Sequence, residues 1–308
     1  MAKRILNMTP AEMSNLTKEE LISAIAGSEG RVLASETIGI TVPLLTDVTN
    51  AEFAASMGAD MILLNMFDVQ NPVIHALPET DKTDVVREVK RLTGRMVGIN
   101  LEPVDEEAAS ENAETIWAMS PGRYATVENA VLAQKMGVDM IVLTGNPGNG
   151  VSNEAINSSL RAISSEIGDR IVLAAGKMHA SGIIGEGGEK IITKEDIRLF
   201  AEAGADVILM PAPGTVPGIT TEYIRELVGY AHSLGRLTIT AIGTSQEGAD
   251  TDTIKRIALE CKMTGTDIHH IGDSGYVGMA LPENIMAYST AIRGIRHTYH
   301  RMAQSLAR

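Results

Sequence analysis

The sequence predicts a (β/α)8 barrel preceded by a short helical extension, and three observations carry the prediction. Eight times along the chain one charged residue opens an apolar run, and the charges alternate in sign: Arg31, Asp60, Arg95, Asp139, Arg170, Asp206, Arg236 and Asp267. The runs are apolar on both faces, the pattern of parallel strands covered on both sides. A helical pattern follows each run, and eight strand–helix units in about 270 residues match the size and order of this barrel. An open doubly wound sheet is the rival fold. Its edge strands would read differently from its central ones, and no unit here reads as an edge.

The elements follow in order. Residues 1–29 form the extension, where Thr9–Glu12 and Thr17–Glu20 match the capping box that starts a helix. The second box leads into Leu21, Ile22 and Ile25, a short apolar face expected to close the barrel bottom. The barrel spans residues 30–308. Its helices are expected at Ala51–Met57, Thr83–Leu92, Ala125–Met136, Asn153–Ile167, Lys194–Ala203, Thr221–Ser233, Thr253–Met263 and Pro282–Arg301. Thr49–Glu52 and Thr193–Asp196 cap the first and fifth. No linker or low-complexity stretch divides the chain. The charged openings mark the strand starts, where neighbouring Arg and Asp are expected to form a ring of ion pairs.

Composition narrows the function. A net charge of -13 with no basic run disfavours nucleic acid and anionic membranes as partners. It leaves room for a small anionic metabolite in a locally positive pocket. With three Phe and one Trp, the core must rest on aliphatic side chains, Met and Ala. The single Cys261, expected on a helix surface, allows no intrachain disulfide or zinc cluster and fits a reducing cytoplasm. The first residues lack a long apolar signal core, and no stretch approaches a membrane span, so a cytoplasmic location is expected.

Barrel enzymes carry their chemistry at the C-terminal strand ends. Five residues after each opening charge, the first four units turn polar: Glu36, Asn65, Asn100 and Thr144. Two residues further lie Glu102, Asn146 and Lys177 in units three to five. Shared parity should aim these groups at one mouth. Asn and Thr also cap turns, but agreement across four strands favours a site. Asn65, Asn100, Thr144 and Asn146 are then substrate-binding candidates, and Glu36 and Glu102 acid–base candidates. Lys177 can serve as base, Schiff-base amine or anion holder, with His179 as a nearby proton shuttle. Three long connections follow the first strands, and the third, acidic and containing Trp117, reads as a helical lid. Asp47 in the first is a metal candidate with Glu102, or a cap for the next helix. Mg²⁺ is the cofactor such acids would suit.

Units seven and eight end in Gly243-Thr244-Ser245 and Gly272-Asp273-Ser274-Gly275. Glycines admit close backbone approach and hydroxyls donate, which suits an anion. Asp273 fits a phosphate poorly; it can accept a substrate hydroxyl, bind a metal or cap the turn, and it joins Glu36, Glu102, Lys177 and His179 as a catalytic candidate. Gly145–Gly150 is glycine-rich but lacks the lysine of a nucleotide-binding loop, so no nucleotide cofactor is indicated. His269 and His270 adjoin within the last strand, so only one can enter the barrel. His270 has the mouth-facing parity.

In barrel order and in these two turns, the chain resembles the phosphate-binding group of TIM barrels. That resemblance implies phosphate at Gly243, Thr244, Ser245, Gly272, Ser274 and Gly275. It is also distantly similar to the phosphoenolpyruvate mutase and isocitrate lyase group, but lacks that group's cysteine motif after a strand. The expected function is an enzyme on a small phosphorylated or carboxylated metabolite. Lyase or isomerase chemistry would run through an enolate-like intermediate. Mg²⁺-dependent hydrolysis and a non-catalytic metabolite-binding barrel remain alternatives. Met286, Tyr288, Ile292, Ile295 and Tyr299 give the last helix surplus apolar surface, which suggests a homo-oligomer.

Overall fold

A computed structural model describes residues 3–104, 119–183, 185 and 187–308. Eight parallel strands close a barrel in the order β1-β2-β3-β4-β5-β6-β7-β8. They are β1 (Val32–Ile38), β2 (Met61–Asn65), β3 (Met96–Leu101), β4 (Met140–Leu143), β5 (Val172–Gly176), β6 (Val207–Pro211), β7 (Leu237–Ile242) and β8 (Ile268–Ile271). The closing pair sets Val32 of β1 against Ile268 of β8. Two short helices precede the barrel, α1 (Pro10–Met13) and α2 (Lys18–Ala26). The shell holds α3 (Asn50–Ser56), α4 (Val85–Thr93), α5 (Val127–Met136), α6 (Asn153–Ile167), α7 (Lys194–Ala203), α8 (Thr221–Ser233), α9 (Thr251–Thr264) and α10 (Pro282–Ala303). All four capping boxes read from the sequence are formed.

Two apolar clusters follow from the strand alternation. Outward residues such as Leu33, Ile62, Ile99 and Leu173 pack under the helices. Inward residues such as Val32, Met61, Val142 and Val172 fill the barrel, and Ile5, Met13, Leu21 and Ile25 join that inner cluster. The extension thus plugs the barrel with the face that its capping boxes set up. Cys261 is not a surface residue. It lies on the inner side of α9, fully buried, where loss of solvation pushes its thiol up to about 11.

No Arg–Asp ring forms, because the two charges do different work. Each strand-opening aspartate turns its short carboxylate onto the preceding strand. It accepts an amide hydrogen there: Asp60 from Leu33, Asp139 from Val97, Asp206 from Leu173 and Asp267 from Thr238, at 2.8–2.9 Å. The balancing cations come from helices instead. Arg293 and Arg301 of α10 hold Asp60, Lys90 of α4 holds Asp139, Lys18 of α2 holds Asp206, and His232 of α8 holds Asp267. Three of the strand-opening arginines reach carbonyls in the last turns of helices: Arg95 to Ala55, Arg170 to Glu166 and Arg236 to Ala201. A guanidinium there satisfies orphan carbonyls and meets the negative end of the helix.

The last helix is less exposed than its composition suggests. Tyr288 and Ile292 are fully buried in the outer cluster, which leaves Ile295 and Tyr299 exposed. Gly294, with φ 74°, breaks the helix between the two pairs and turns its second half. Among the described residues, no helix is long and apolar enough to cross a membrane.

Candidate active site at the barrel mouth

A cavity of about 600 Å³ opens at the C-terminal strand ends. Its wall includes Glu36, Asn65, Asn100, Glu102, Thr144 and Asn146, so the mouth-facing parity read from units one to four brings these groups together. The turns after β7 and β8 add Gly243, Ser245, Glu247, Gly272, Asp273 and Gly275.

One hydrogen-bonded chain crosses the floor. The Asn65 amide donates to Asp273 Oδ2 at 2.7 Å, and the Asn100 amide donates to Glu36 Oε1 at 2.8 Å and to Asn65 Oδ1 at 3.2 Å. Burial pushes the Asp273 carboxyl up to about 7, and the nearby Glu36 and Glu247 add to the shift against the hydrogen bonds from Asn65 and Gly275. Glu247 is also raised, by burial first, and its Oε2 has no partner.

Across the mouth, Glu102 pairs with Arg123. Burial raises the Glu102 carboxyl, and Arg123 only partly offsets it. The Arg123 Nε is buried without a partner, as is the Thr144 hydroxyl. Asn146 accepts from the Gly148 amide and the Ser181 hydroxyl, and that hydroxyl also lies 3.0 Å from His179 Nδ1. Burial lowers the His179 imidazole; Glu36 opposes the shift and Lys177 adds to it.

Several expected residues stand elsewhere. Lys177 is buried, but the cavity wall passes through Met178 and His179 without it. Arg170 precedes its strand by two residues where the other charges precede theirs by one. The count that reached Lys177 therefore lands on the parity of Leu173 and Ala175, which face the shell, while Val172 and Ala174 face inward. Thr244 and Ser274 are not on the wall. The Thr244 hydroxyl contacts the Thr215 carbonyl at 2.7 Å and the Gln246 side chain, which ties its loop together. The Gly275 amide is taken by Asp273 Oδ1 at 2.8 Å. Asp47 is exposed and off the wall, and the helix cap expected of it belongs to Thr49. Asp47 and Glu102 thus do not share the cavity wall. Among the described residues, no three His, Cys, Asp or Glu side chains are grouped to hold a metal ion. The lid expected around Trp117 lies outside the described residues.

Among the wall residues that the parity count did not reach are Arg123, Glu247 and Met178. Arg123 and Glu247 sit in 3-10 turns inside loops, where no strand period points to them. Met178 is the residue that the corrected count on β5 would have found. Of the two histidines, His269 is the core one: it contacts the Gly30 carbonyl at 3.0 Å and Tyr288 at 3.2 Å, and burial lowers it to about 4. His270 enters the barrel below Glu36, its Nε2 3.5 Å from Glu36 Oε2.

A family model described as a domain of unknown function (DUF7916) matches residues 6–308. No curated protein matches the sequence. Among solved structures, the chain is similar to the carboxyl transferase domain of Rhizobium etli pyruvate carboxylase with 3-bromopyruvate. The TM-score is 0.52 at 13% identity, covering 96% of this chain and 52% of that one. It is also similar to thiamine phosphate pyrophosphorylase from Pyrococcus furiosus, with TM-score 0.47, 13% identity, and 86% and 96% of the two chains covered. Orotidine 5'-phosphate decarboxylase from Pyrococcus horikoshii gives TM-score 0.49 at 15% identity, with 86% of this chain and 100% of that one covered. At 13% identity the likeness to the carboxyl transferase domain speaks for the fold alone.

Proposed function

The chain belongs to the DUF7916 family; from its barrel mouth we propose that it is an enzyme of the lyase or isomerase type. It moves a proton on a small phosphorylated or carboxylated metabolite at the barrel mouth. The observation that carries this reading is Asp273, a carboxyl held up to about 7 on the wall of the cavity. Near neutral pH such a group is populated in both forms, which is the condition for general acid–base work.

The opposite wall supplies the complement. Arg123 has a buried Nε without a partner, which suits a carboxylate or phosphate oxygen. An anion anchored there turns the rest of a small molecule toward Asp273. The buried Thr144 hydroxyl is a donor for oxygen charge that develops as a proton leaves. A phosphate at the β7 and β8 turns would instead meet Asp273 and Glu247, and would bind with both protonated, hence better at acid pH.

Proton exchange on a panel of small anions tests this reading. The protein is incubated in D2O with small 2-hydroxy acids, 2-oxo acids and sugar phosphates, and proton NMR follows the C–H signals. Exchange on one compound that disappears in Asp273→Asn is the expected result. Exchange on none of them, or exchange that survives the substitution, would sink the reading.

A further inference from the structure

His270 sits in the middle of β8 with Ala34 of β1 and Ala241 of β7 in register on either side. Two small neighbours leave the imidazole its width inside the barrel. It is 1% exposed, its Nε2 faces Glu36, and its Nδ1 has no partner. The ring thus turns its Nε2 edge to Glu36, while its Nδ1 edge makes no hydrogen bond. An apolar residue would fill this space without desolvating polar groups, so packing alone does not account for the pair.

From Glu36 the chain of bonds runs in one direction. The Asn100 amide aims its hydrogens at Glu36 and the Asn65 amide aims its own at Asp273, the arrangement that suits Asp273 in its ionised form. The Asn65 carbonyl oxygen accepts from both Asn100 and the Met66 backbone. Loss of the Glu36 acceptor would free Asn100 to turn over, and Asn65 would lose the partner that fixes its orientation.

Resting on the reading of Asp273 as proton carrier, we propose that His270 and Glu36 are a positioning pair. The buried imidazole packs its Nε2 edge against Glu36, and Glu36 fixes the Asn100–Asn65 relay that orients Asp273. The charged and titratable groups around Asp273 are Glu36 of β1 and Glu247 of the turn after β7. His179 and Lys177 lie beyond them at the end of β5, with His179 acting on Glu36, and His270 of β8 lies beneath Glu36.

Carboxyl carbon and imidazole nitrogen NMR on the full chain tests the pair without turnover. In the wild type, His270 should carry its proton on Nε2; a proton on Nδ1 would overturn the proposal without any variant. Glu36→Gln keeps the shape and removes the charge, and should lower the Asp273 midpoint by about one unit. His270→Leu removes the ring edge that faces Glu36, loosens that carboxyl and its repulsion on Asp273, and should move the Asp273 midpoint in the same direction. His270→Gln, which offers an amide N–H in the same region, should restore it. An Asp273 midpoint unmoved by both Glu36→Gln and His270→Leu, in variants with a wild-type amide spectrum, would overturn the pair. An Asp273 midpoint near 4 in the wild type would sink the proton-carrier reading instead, whatever Glu36→Gln does.

Discussion

Asn65 and Asp273 stand 208 residues apart in the chain, yet the Asn65 amide donates to Asp273 Oδ2 at 2.7 Å. Barrel closure brings them together, because β1 lies between the strands that carry them. The bond favours the ionised carboxyl, whereas burial and Glu36 favour the neutral one, and the balance settles at about 7. A stronger or weaker set of neighbours would leave the acid fixed in one form at neutral pH.

That balance has a cost in stability with a defined sign. The Asp273 carboxyl is raised from 3.8 to about 7 in the folded chain. Between those values the folded state holds a proton that the unfolded state has released, so stability falls as pH rises through this window. About three units at 1.36 kcal/mol each set an upper bound of roughly 4 kcal/mol. Asp273→Asn removes the buried charge. Its melting temperature should exceed that of the wild type at pH 8 and match it more closely at pH 5, by scanning calorimetry at both. An equal difference at the two pH values would contradict the assignment.

Two glycines on the β5 and β7 ends should respond differently to alanine. At Gly176, φ is 152° and an added Cβ would overlap the Leu209 carbonyl oxygen, which is backbone in the neighbouring strand. Gly176→Ala should therefore fail to fold or lose several kcal/mol, on the order of 3. At Gly243 the added Cβ meets the thioether of Met178, the end of a flexible side chain. Gly243→Ala should keep the fold, within about 1 kcal/mol by urea titration, while shifting the Met178 methyl resonance as the cavity wall moves. A larger loss for Gly243→Ala than for Gly176→Ala would show that the two contacts have been ranked wrongly.

The barrel was legible because its signal is periodic and repeated. Eight apolar runs with charged openings place every strand to within two residues, and Thr-x-x-Glu boxes place helix starts. The site was legible only where it shares that period. Glu36, Asn65 and Asn100 lie on strands, and Thr144 directly after one, whose charge stands one residue before the first strand position. Lys177 was misplaced by one extra residue, Ile171, between Arg170 and β5. Arg123 and Glu247 belong to loop turns, whose positions depend on tertiary contacts rather than on any local repeat. The ion-pair ring failed for a related reason: sequence shows which charges are close along the rim, but not that a backbone amide competes for each aspartate.

His232 and Asp267 offer a check on the helix-borne cations at the barrel bottom. The hydrogen bond that His232 donates to Asp267 raises its imidazole above 6.5, burial pulls it down, and the attraction of the Asp267 charge adds to the rise. A raised histidine contributes stability below its unfolded pKa and loses it as pH rises through its folded pKa. With 41% of the His232 side chain exposed, solvent screening keeps the effect small. The His232 ring protons should titrate with a midpoint above 6.5, and Asp267→Asn should bring that midpoint down. An unchanged midpoint in the variant would mean that the 2.8 Å contact carries no charge coupling.

Asp60 carries the largest predicted loss. It is fully buried, caps the Leu33 amide, and meets Arg293 and Arg301 of α10. Burial alone would raise its carboxyl, but the two guanidinium groups overcome that and hold it below the usual range. Arg301 also reaches the Ile5 and Met8 carbonyls, so this carboxylate ties the last helix and the N-terminal extension to the barrel. Asp60→Asn keeps an acceptor for Leu33 and leaves two buried arginines without a counter-charge. The loss should be roughly 3–5 kcal/mol in urea unfolding, the range for a buried pair broken on one side. Arg301→Met in the Asp60→Asn background removes one of the stranded charges and should recover part of that loss. If Asp60→Asn costs less than about 1 kcal/mol, the charge balance is not what holds α10 in place. The carbonyl contacts of the arginines would then be the cause.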